Sequence, residues 1–260
     1  MSEGAKTSSW AEYRSGWKHH DSEVIEEALI TLYINGFELA SIMATPLEQK
    51  ELALGFLKNE GLLDHMDEVE EIYVTADGCC VDLWLNHAVQ RPERFIITSG
   101  CGAGISFDDP SLDLDPLVDD FCIEPERLFE RFQELHFPGS LHARARGVHT
   151  AGLSDGEQIL AISEDVGRHN TIDKLLGKCL LNDIETRGKV LLTTGRVSSE
   201  MLRKGARMGC PIIASRNSPT SLSISMAEAF NITLVGYVRR NSLRVYSHTW
   251  RLNCEQQKPV

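Results

Sequence analysis

Between residues 28 and 85 apolar and polar side chains alternate in short runs divided by turn signals. Residues 28–34 read as a strand, Asn35-Gly36 as a two-residue hairpin turn, and 37–43 as the returning strand. Thr45-Pro46 then opens a helix, with Thr45 predicted at the N-cap and Pro46 in the first turn. Leu47, Leu52, Leu54, Phe56 and Leu57 make its apolar side, and Gly61 ends it. Residues 71–76 and 79–85 flank Asp77-Gly78 and predict a second hairpin. Strand-like residues 95–98 are expected to complete this α+β region.

After an acidic linker (108–123), residues 125–135 predict a helix that Pro138-Gly139 breaks. From about residue 145 the rhythm changes to short apolar strands alternating with helices. Strands are expected at 149–153 and 158–163, around the turn Ser154-Asp155-Gly156, then at 189–193, 211–215, 232–238 and 243–247. Helices are expected at 169–181, 198–208 and 219–230, the last with Ser218 as N-cap. This alternation implies an α/β fold with a largely parallel sheet covered on both faces, where ligands sit at the carboxyl ends of the strands. The chain therefore divides into an N-terminal α+β region (1–123) and a C-terminal α/β domain (124–260).

Charge sharpens that division. Residues 1–143 hold 9 Lys and Arg against 28 Asp and Glu, whereas residues 144–260 hold 17 against 10. The basic C-terminal half suits a compact anion such as a nucleotide, and the acidic half argues against binding of long nucleic acid. No apolar run approaches the roughly 18 residues needed to cross a bilayer, and residues 1–20 lack an apolar signal core. A cytoplasmic protein is expected.

Seven cysteines, with no C-x-x-C pair among them, exclude the common zinc patterns. Most read as small buried hydrophobes in a reducing compartment, Cys179 and Cys210 above all. Cys101 differs. It lies in Ser99-Gly100-Cys101-Gly102-Ala103-Gly104, where glycines leave few side chains to bury a thiol, so an exposed and mobile sulfur is expected there.

Three polar clusters fall at predicted strand ends: Glu164–Asn170, Thr194-Gly195-Arg196 and Ser215–Ser221. Each sets an arginine (Arg168, Arg196, Arg216) beside a helix N-terminus, where free N–H groups and the helix dipole attract phosphate. Capping and surface ion pairs are the alternative use of the same residues. Arg239-Arg240, on the turn between the last two strands, could clamp a second phosphate or merely solvate that turn. His169, beside Glu164 and Asp165, reads as a base or as a loop-holding residue. H-E-x-x-H, Walker A, G-x-S-x-G and zinc-deaminase motifs are absent from the sequence, and no metal site is expected.

From residue 26 to 252 the chain resembles the FdhD family of formate dehydrogenase accessory sulfurtransferases. The resemblance rests on Glu164-Asp-Val-Gly-Arg-His-Asn170 with Asp173-Lys174, Thr194-Gly-Arg196 with Ser198 and Glu200, Ser215-Arg216 with Ser218-Pro-Thr-Ser221, Tyr246-Ser-His248, Asn35-Gly36, Thr45-Pro46 and residues 51–57. It implies a cytidine-deaminase-like three-layer α/β/α C-terminal domain without zinc, and a cytoplasmic homodimer. It implies a sulfur carrier that takes sulfane sulfur from a cysteine desulfurase as a persulfide. The acceptor would be the molybdenum (or tungsten) bis-molybdopterin guanine dinucleotide cofactor, a guanine nucleotide being able to substitute for it as ligand, and formate dehydrogenase would be activated. Cys101 matches the first cysteine of the family's C-x-x-C, the persulfide carrier. Tyr237, Val238, Arg239, Arg240, Asn241 and Ser242 match the cofactor-binding segment, which Arg196 and Arg216 would supplement.

The sequence departs from that pattern where the second cysteine should stand, at Gly104. A two-thiol relay cannot operate there, and a single-thiol persulfide carrier remains. A non-catalytic chaperone of the same cofactor is the alternative. Asn241-Ser242 replaces the family's Gly-Arg, and Arg146-Gly147 stands where two glycines often precede the residue matching His149.

Overall fold

The computed structural model of the chain describes residues 3–90, 96–97, 105–106 and 115–254. Cys101 lies outside the described residues, as does most of the linker before Asp115.

The chain is a mixed α/β protein, as the alternation predicts. It opens with a β-ribbon that hydropathy does not reveal, β1 (Ala5–Tyr13) and β2 (Trp17–Ile25), paired antiparallel. Both faces of this ribbon are polar or exposed, so no buried alternation marks it. Cross-strand aromatic pairs hold its register instead: Trp10 stacks on His20 at 4.6 Å, and Tyr13 meets Trp17 at 5.3 Å. Arg144 fastens the base, donating from Nε to Glu23 at 3.0 Å and from Nη1 to the Glu3 carbonyl at 3.2 Å.

β3 (Ala28–Ile34) and β4 (Phe37–Ala44) form the expected hairpin, and β5 (Val69–Val74) and β6 (Cys80–Leu85) the second one. They join in one sheet of order β4-β3-β6-β5. The apolar face of this sheet packs on helix α1 (Gln49–Asn59). The strand expected at 95–98 does not complete the sheet. Ile96–Ile97 (β7) pairs with Ile105–Ser106 (β8) in a separate two-stranded unit.

The second sheet has the order β10-β9-β11-β12-β13-β14. Its strands are β9 (His149–Ser154), β10 (Ile159–Asp165), β11 (Val190–Thr193), β12 (Ile212–Ser215), β13 (Thr233–Gly236) and β14 (Arg244–Val245). Only the β11–β12 and β12–β13 pairings are parallel, the other three being antiparallel, so the sheet is mixed rather than largely parallel. Those three strands are buried on both faces, which explains their unbroken apolar runs. Helices α4 (Arg168–Leu181), α5 (Ser199–Arg207) and α6 (Ser221–Ala229) cover one face. Helix α2 (Pro125–Glu134), with Ile123 and Leu252, covers the other. A short helix α3 (Leu141–Arg144) precedes β9.

The two sheets are joined through helices. α1 and α4 cross at backbone contact: a Cβ on Gly55 would lie 1.8 Å from the Asp173 carbonyl oxygen, and one on Gly177 1.9 Å from that of Glu51. Glycine is required at both positions, because a methyl would meet main chain that cannot move aside.

Two predicted caps prove to be something else. Thr45 does not cap α1, whose N-cap is Glu48; it reaches across to β10 and α4 instead. α6 is capped by Thr220 in a capping box with Ser223, not by Ser218, whose carbonyl accepts from Val197 N at 3.1 Å.

Candidate functional site

Sheet topology decides which loops meet. β10 runs with β11, β12 and β13, while β9 runs against β11, so the start of β9 and the ends of the other four share one edge. His149, Asp165, Thr194, Arg216 and Tyr237 therefore gather there. Backbone bonds stitch the edge together: Thr194 N to Thr150 O at 3.0 Å, Arg216 N to Thr193 O at 3.1 Å, and Val238 N to Ser215 O at 3.0 Å. The three polar clusters read from sequence do converge.

Their residues then split into two groups. Much of Glu164–Lys174 is architectural. Asp165, fully buried, accepts from Thr45 N at 3.0 Å, Gly167 N at 2.7 Å and Asn170 Nδ2 at 2.8 Å, and pairs with buried Lys174 at 2.5 Å. Lys174 also donates to the Thr45 carbonyl at 2.9 Å. Asp173 pairs with Lys204 and accepts from Asn59 Nδ2 at 2.7 Å, while Arg203 pairs with Glu60 at 3.0 Å. These ions hold α1, α4 and α5 together. Glu164 accepts from Leu141 N at 2.7 Å and His142 N at 3.0 Å, fixing the start of α3.

His169 is not paired with Glu164 or Asp165, as its sequence neighbours suggested. Its Nε2 lies 3.1 Å from Glu200 and 3.4 Å from Ser198 Oγ, on α5 and its N-cap. Burial outweighs the carboxylate and keeps its pKa below the ordinary histidine value. His149 is likewise lowered, by burial and then by Arg168; its Nδ1 lies 3.4 Å from Thr194 Oγ1.

The second group lines a cavity of about 560 Å³ beyond the ends of β12 and β13. Its walls are Phe129, Phe132 and Gln133 from α2, then Arg216, Val238, Arg239 and Arg240. No described lining residue is acidic. Arg216 is half-buried and anchored by Nη2 to the Phe132 carbonyl at 3.0 Å. Burial and the nearby Arg239 charge push its pKa below the usual arginine value, the sign of a cation short of counter-charge. Arg239 donates to the carbonyls of Arg216 and Val238, and its backbone N–H closes the turn on Ser242 O at 2.8 Å. Tyr237 begins the turn at φ +52°, its ring 4.3 Å from the Arg244 guanidinium. Three arginines and two phenylalanines in one lining can take a phosphate attached to a planar ring system.

Of the sequence-named binding residues, Arg216, Val238, Arg239 and Arg240 line this cavity, Tyr237 and Ser242 shape its turn, and Asn241 is exposed on it. Arg196 is exposed after β11 and is not among the lining residues. The α2 wall went unnoticed in the sequence, because Phe129 and Phe132 look like ordinary core positions. His136, at the end of α2, was missed as well. It stacks on His142 at 4.1 Å, and burial followed by the Arg216 charge lowers its pKa to about 4.

Because folded His136 resists protonation, its contribution to stability is complete above about pH 6.5 and is lost as pH falls towards 4. Solvent screening at its partly exposed ring leaves about 1–2 kcal/mol over that window. Urea titrations should therefore show wild type losing about 1–2 kcal/mol more stability than His136→Gln as pH falls through that range.

Among the described residues no group of three or more His, Cys, Asp or Glu could hold a metal, and no helix is long and apolar enough to cross a membrane.

Residues 25–253 match the sequence profile of the FdhD/NarQ family. The chain belongs to that family. It is 35% identical over 254 residues to a Bacillus pumilus protein named sulfur carrier protein FdhD, covering 93% of this chain and 95% of the relative. Proteins of the same name from Bacillus subtilis (33% identical, covering 92% and 96%) and Wolinella succinogenes (34%, covering 91% and 86%) also match. A crystal structure from Desulfotalea psychrophila, described as a formate dehydrogenase accessory protein, superposes with a TM-score of 0.77. It is 27% identical and covers 95% of this chain and 99% of its own.

Proposed function

We propose that this protein is a sulfur carrier serving formate dehydrogenase. Its basic cavity would hold a guanine-nucleotide arm of the molybdenum bis-molybdopterin guanine dinucleotide cofactor while Cys101 delivers sulfur to the metal. The observation that carries the binding half is the cluster of Arg216, Arg239 and Arg240 around one cavity with no acidic lining residue described. About 560 Å³ suits one nucleotide arm, not the whole bis-dinucleotide.

Sulfur transfer follows thiol–disulfide rules. The Cys101 thiolate attacks the outer sulfur of a cysteine desulfurase persulfide, the donor's S–S bond breaks, and the donor cysteine leaves as its thiolate. The S–S bond of the Cys101 persulfide would then break with Cys101 keeping the bonding pair as thiolate, and the zero-valent outer sulfur would take two electrons from the reduced metal of the acceptor to become a sulfide ligand. The names of the relatives, each a sulfur carrier protein, support this reading. Gly104 favours a second one, a cofactor chaperone without thiol chemistry, because the C-x-x-C pair is incomplete.

Guanosine diphosphate is a practical probe of the cavity. Calorimetry should show that Arg216→Ala and Arg239→Ala each weaken its binding about tenfold or more, as expected on losing a charge-assisted phosphate contact of about 1.5–3 kcal/mol. Unchanged affinity in both variants would place the nucleotide elsewhere. Arg196→Ala should leave affinity unaltered.

A further inference from the structure

Two sulfurs distant in sequence meet where α2 begins. Cys122 and Cys254 form a disulfide across a sequence separation of 132, with Cα atoms 5.7 Å apart. No motif in the sequence marks them as a pair.

Their surroundings hold them together independently of the bond. Ile123 N donates to Arg251 O at 2.9 Å, Cys254 N to Glu124 Oε1 at 3.1 Å, and Arg251 Nη2 to Asp119 O at 3.2 Å. The buried Arg251 guanidinium stacks on Trp250 at 4.1 Å. Ile123 and Leu252 share one apolar cluster with Leu128, Phe132 and Val238. The two thiols therefore stay adjacent when reduced. Both cysteines are half-buried, within reach of a small reagent, whereas Cys179 and Cys210 are buried and their thiols are pushed far above the ordinary pKa.

We propose that Cys122 and Cys254 are a reversible thiol–disulfide latch that pins the C-terminal turn to the entry of α2 and stiffens the α2 wall of the basic cavity. A low-molecular-weight disulfide closes it. One protein thiolate attacks a sulfur of that disulfide and releases one small thiolate; the second protein thiolate then attacks the mixed disulfide and releases the other. The protein dithiol loses two electrons, the small disulfide gains them, and the two thiol protons pass to solvent. Exchange with a low-molecular-weight thiol runs the same steps backwards. The mechanical link is direct, since Phe132 and Val238 line the cavity and also pack in the cluster beneath the latch. Closing it suppresses local opening of both tethered segments. The latch works without Cys101 and whichever ligand the cavity holds.

The full chain is equilibrated with oxidised or reduced glutathione, alkylated and mapped by mass spectrometry, and its amide hydrogen exchange is followed in both states. The expected result is one cross-linked peptide pair joining Cys122 to Cys254 that reduced glutathione reopens. Exchange across residues 119–134 and 249–254 should be severalfold slower in the oxidised form. Cys122→Ser and Cys254→Ser should each exchange like reduced wild type in either buffer. Full alkylation of both cysteines after oxidation, a cross-link to Cys79 or Cys80, a bond that reduced glutathione does not reopen, or equal exchange at α2 in both states would overturn the proposal.

Discussion

Cys101→Ala is expected to reduce activation of formate dehydrogenase to background in cells lacking the wild-type protein, while guanosine diphosphate binding stays intact. The reason is that Cys101 alone stands in a run of glycines that leaves few side chains to bury its sulfur, at the position matching the family's carrier cysteine. Cys179 and Cys210 are buried in the core below the six-stranded sheet, and burial raises their thiols, Cys179 to about 12, so almost no thiolate exists near neutral pH. Cys122 and Cys254 are bonded to each other, and once reduced they stay side by side, where the thiolate of one would attack a persulfide on the other, remake the disulfide and release the outer sulfur as sulfide. Cys79 and Cys80 sit at the β5–β6 turn of the four-stranded sheet and are not among the residues lining the arginine cavity. Because thiolate attack is the first step of sulfur acceptance, removing the one thiol in a glycine run removes the step rather than slowing it. The chaperone reading predicts the opposite, full rescue by Cys101→Ala. Cys101→Ser adds a control, since it keeps a polar side chain of similar size but lacks the sulfur nucleophile.

Asp165→Ala should be the most destabilising single exchange at the junction between the two sheets, costing about 3–5 kcal/mol. Lys174 would be left at zero side-chain exposure without its carboxylate, donating to the Thr45 carbonyl. The N–H groups of Thr45 and Gly167 and the amide of Asn170 would also lose their acceptor. Each unsatisfied buried donor adds to the loss. Urea unfolding followed by tryptophan fluorescence measures it. A change under about 1 kcal/mol would mean that the carboxylate is not the keystone of the α1–α4 junction. Lys174→Met should cost less, because Asp165 retains three neutral donors.

Much of this architecture is legible in the sequence because burial imposes periodicity. The buried runs of β11, β12 and β13, the two N-terminal hairpins and the amphipathic α2 all appear close to their predicted places. The β1–β2 ribbon was not legible, since a strand with no buried face carries no alternation. The turn at Ser154-Asp155-Gly156 anticipates the antiparallel β9–β10 pair, but the insertion of β9 between β10 and β11 was hidden, because hydropathy is blind to strand order.

At the candidate site, the sequence exposed which residues are chemically unusual but not the task each performs. Asp165, Asp173 and Lys174, in the most distinctive motif, are spent on joining α1 to α4 and α5. Phe129, Phe132 and His136 looked ordinary, yet they flank the arginine cluster. The Cys122–Cys254 pairing has no local signature, because its partners are brought together by the packing of the C-terminal turn against the start of α2.

The most direct test of the sulfur-carrier account is the intact mass of the protein after incubation with a cysteine desulfurase and cysteine, with and without a thiol reductant. The account predicts that wild type gains one reductant-labile sulfur atom and that Cys101→Ala gains none. Equal sulfur on both proteins, or no sulfur on wild type, would contradict it.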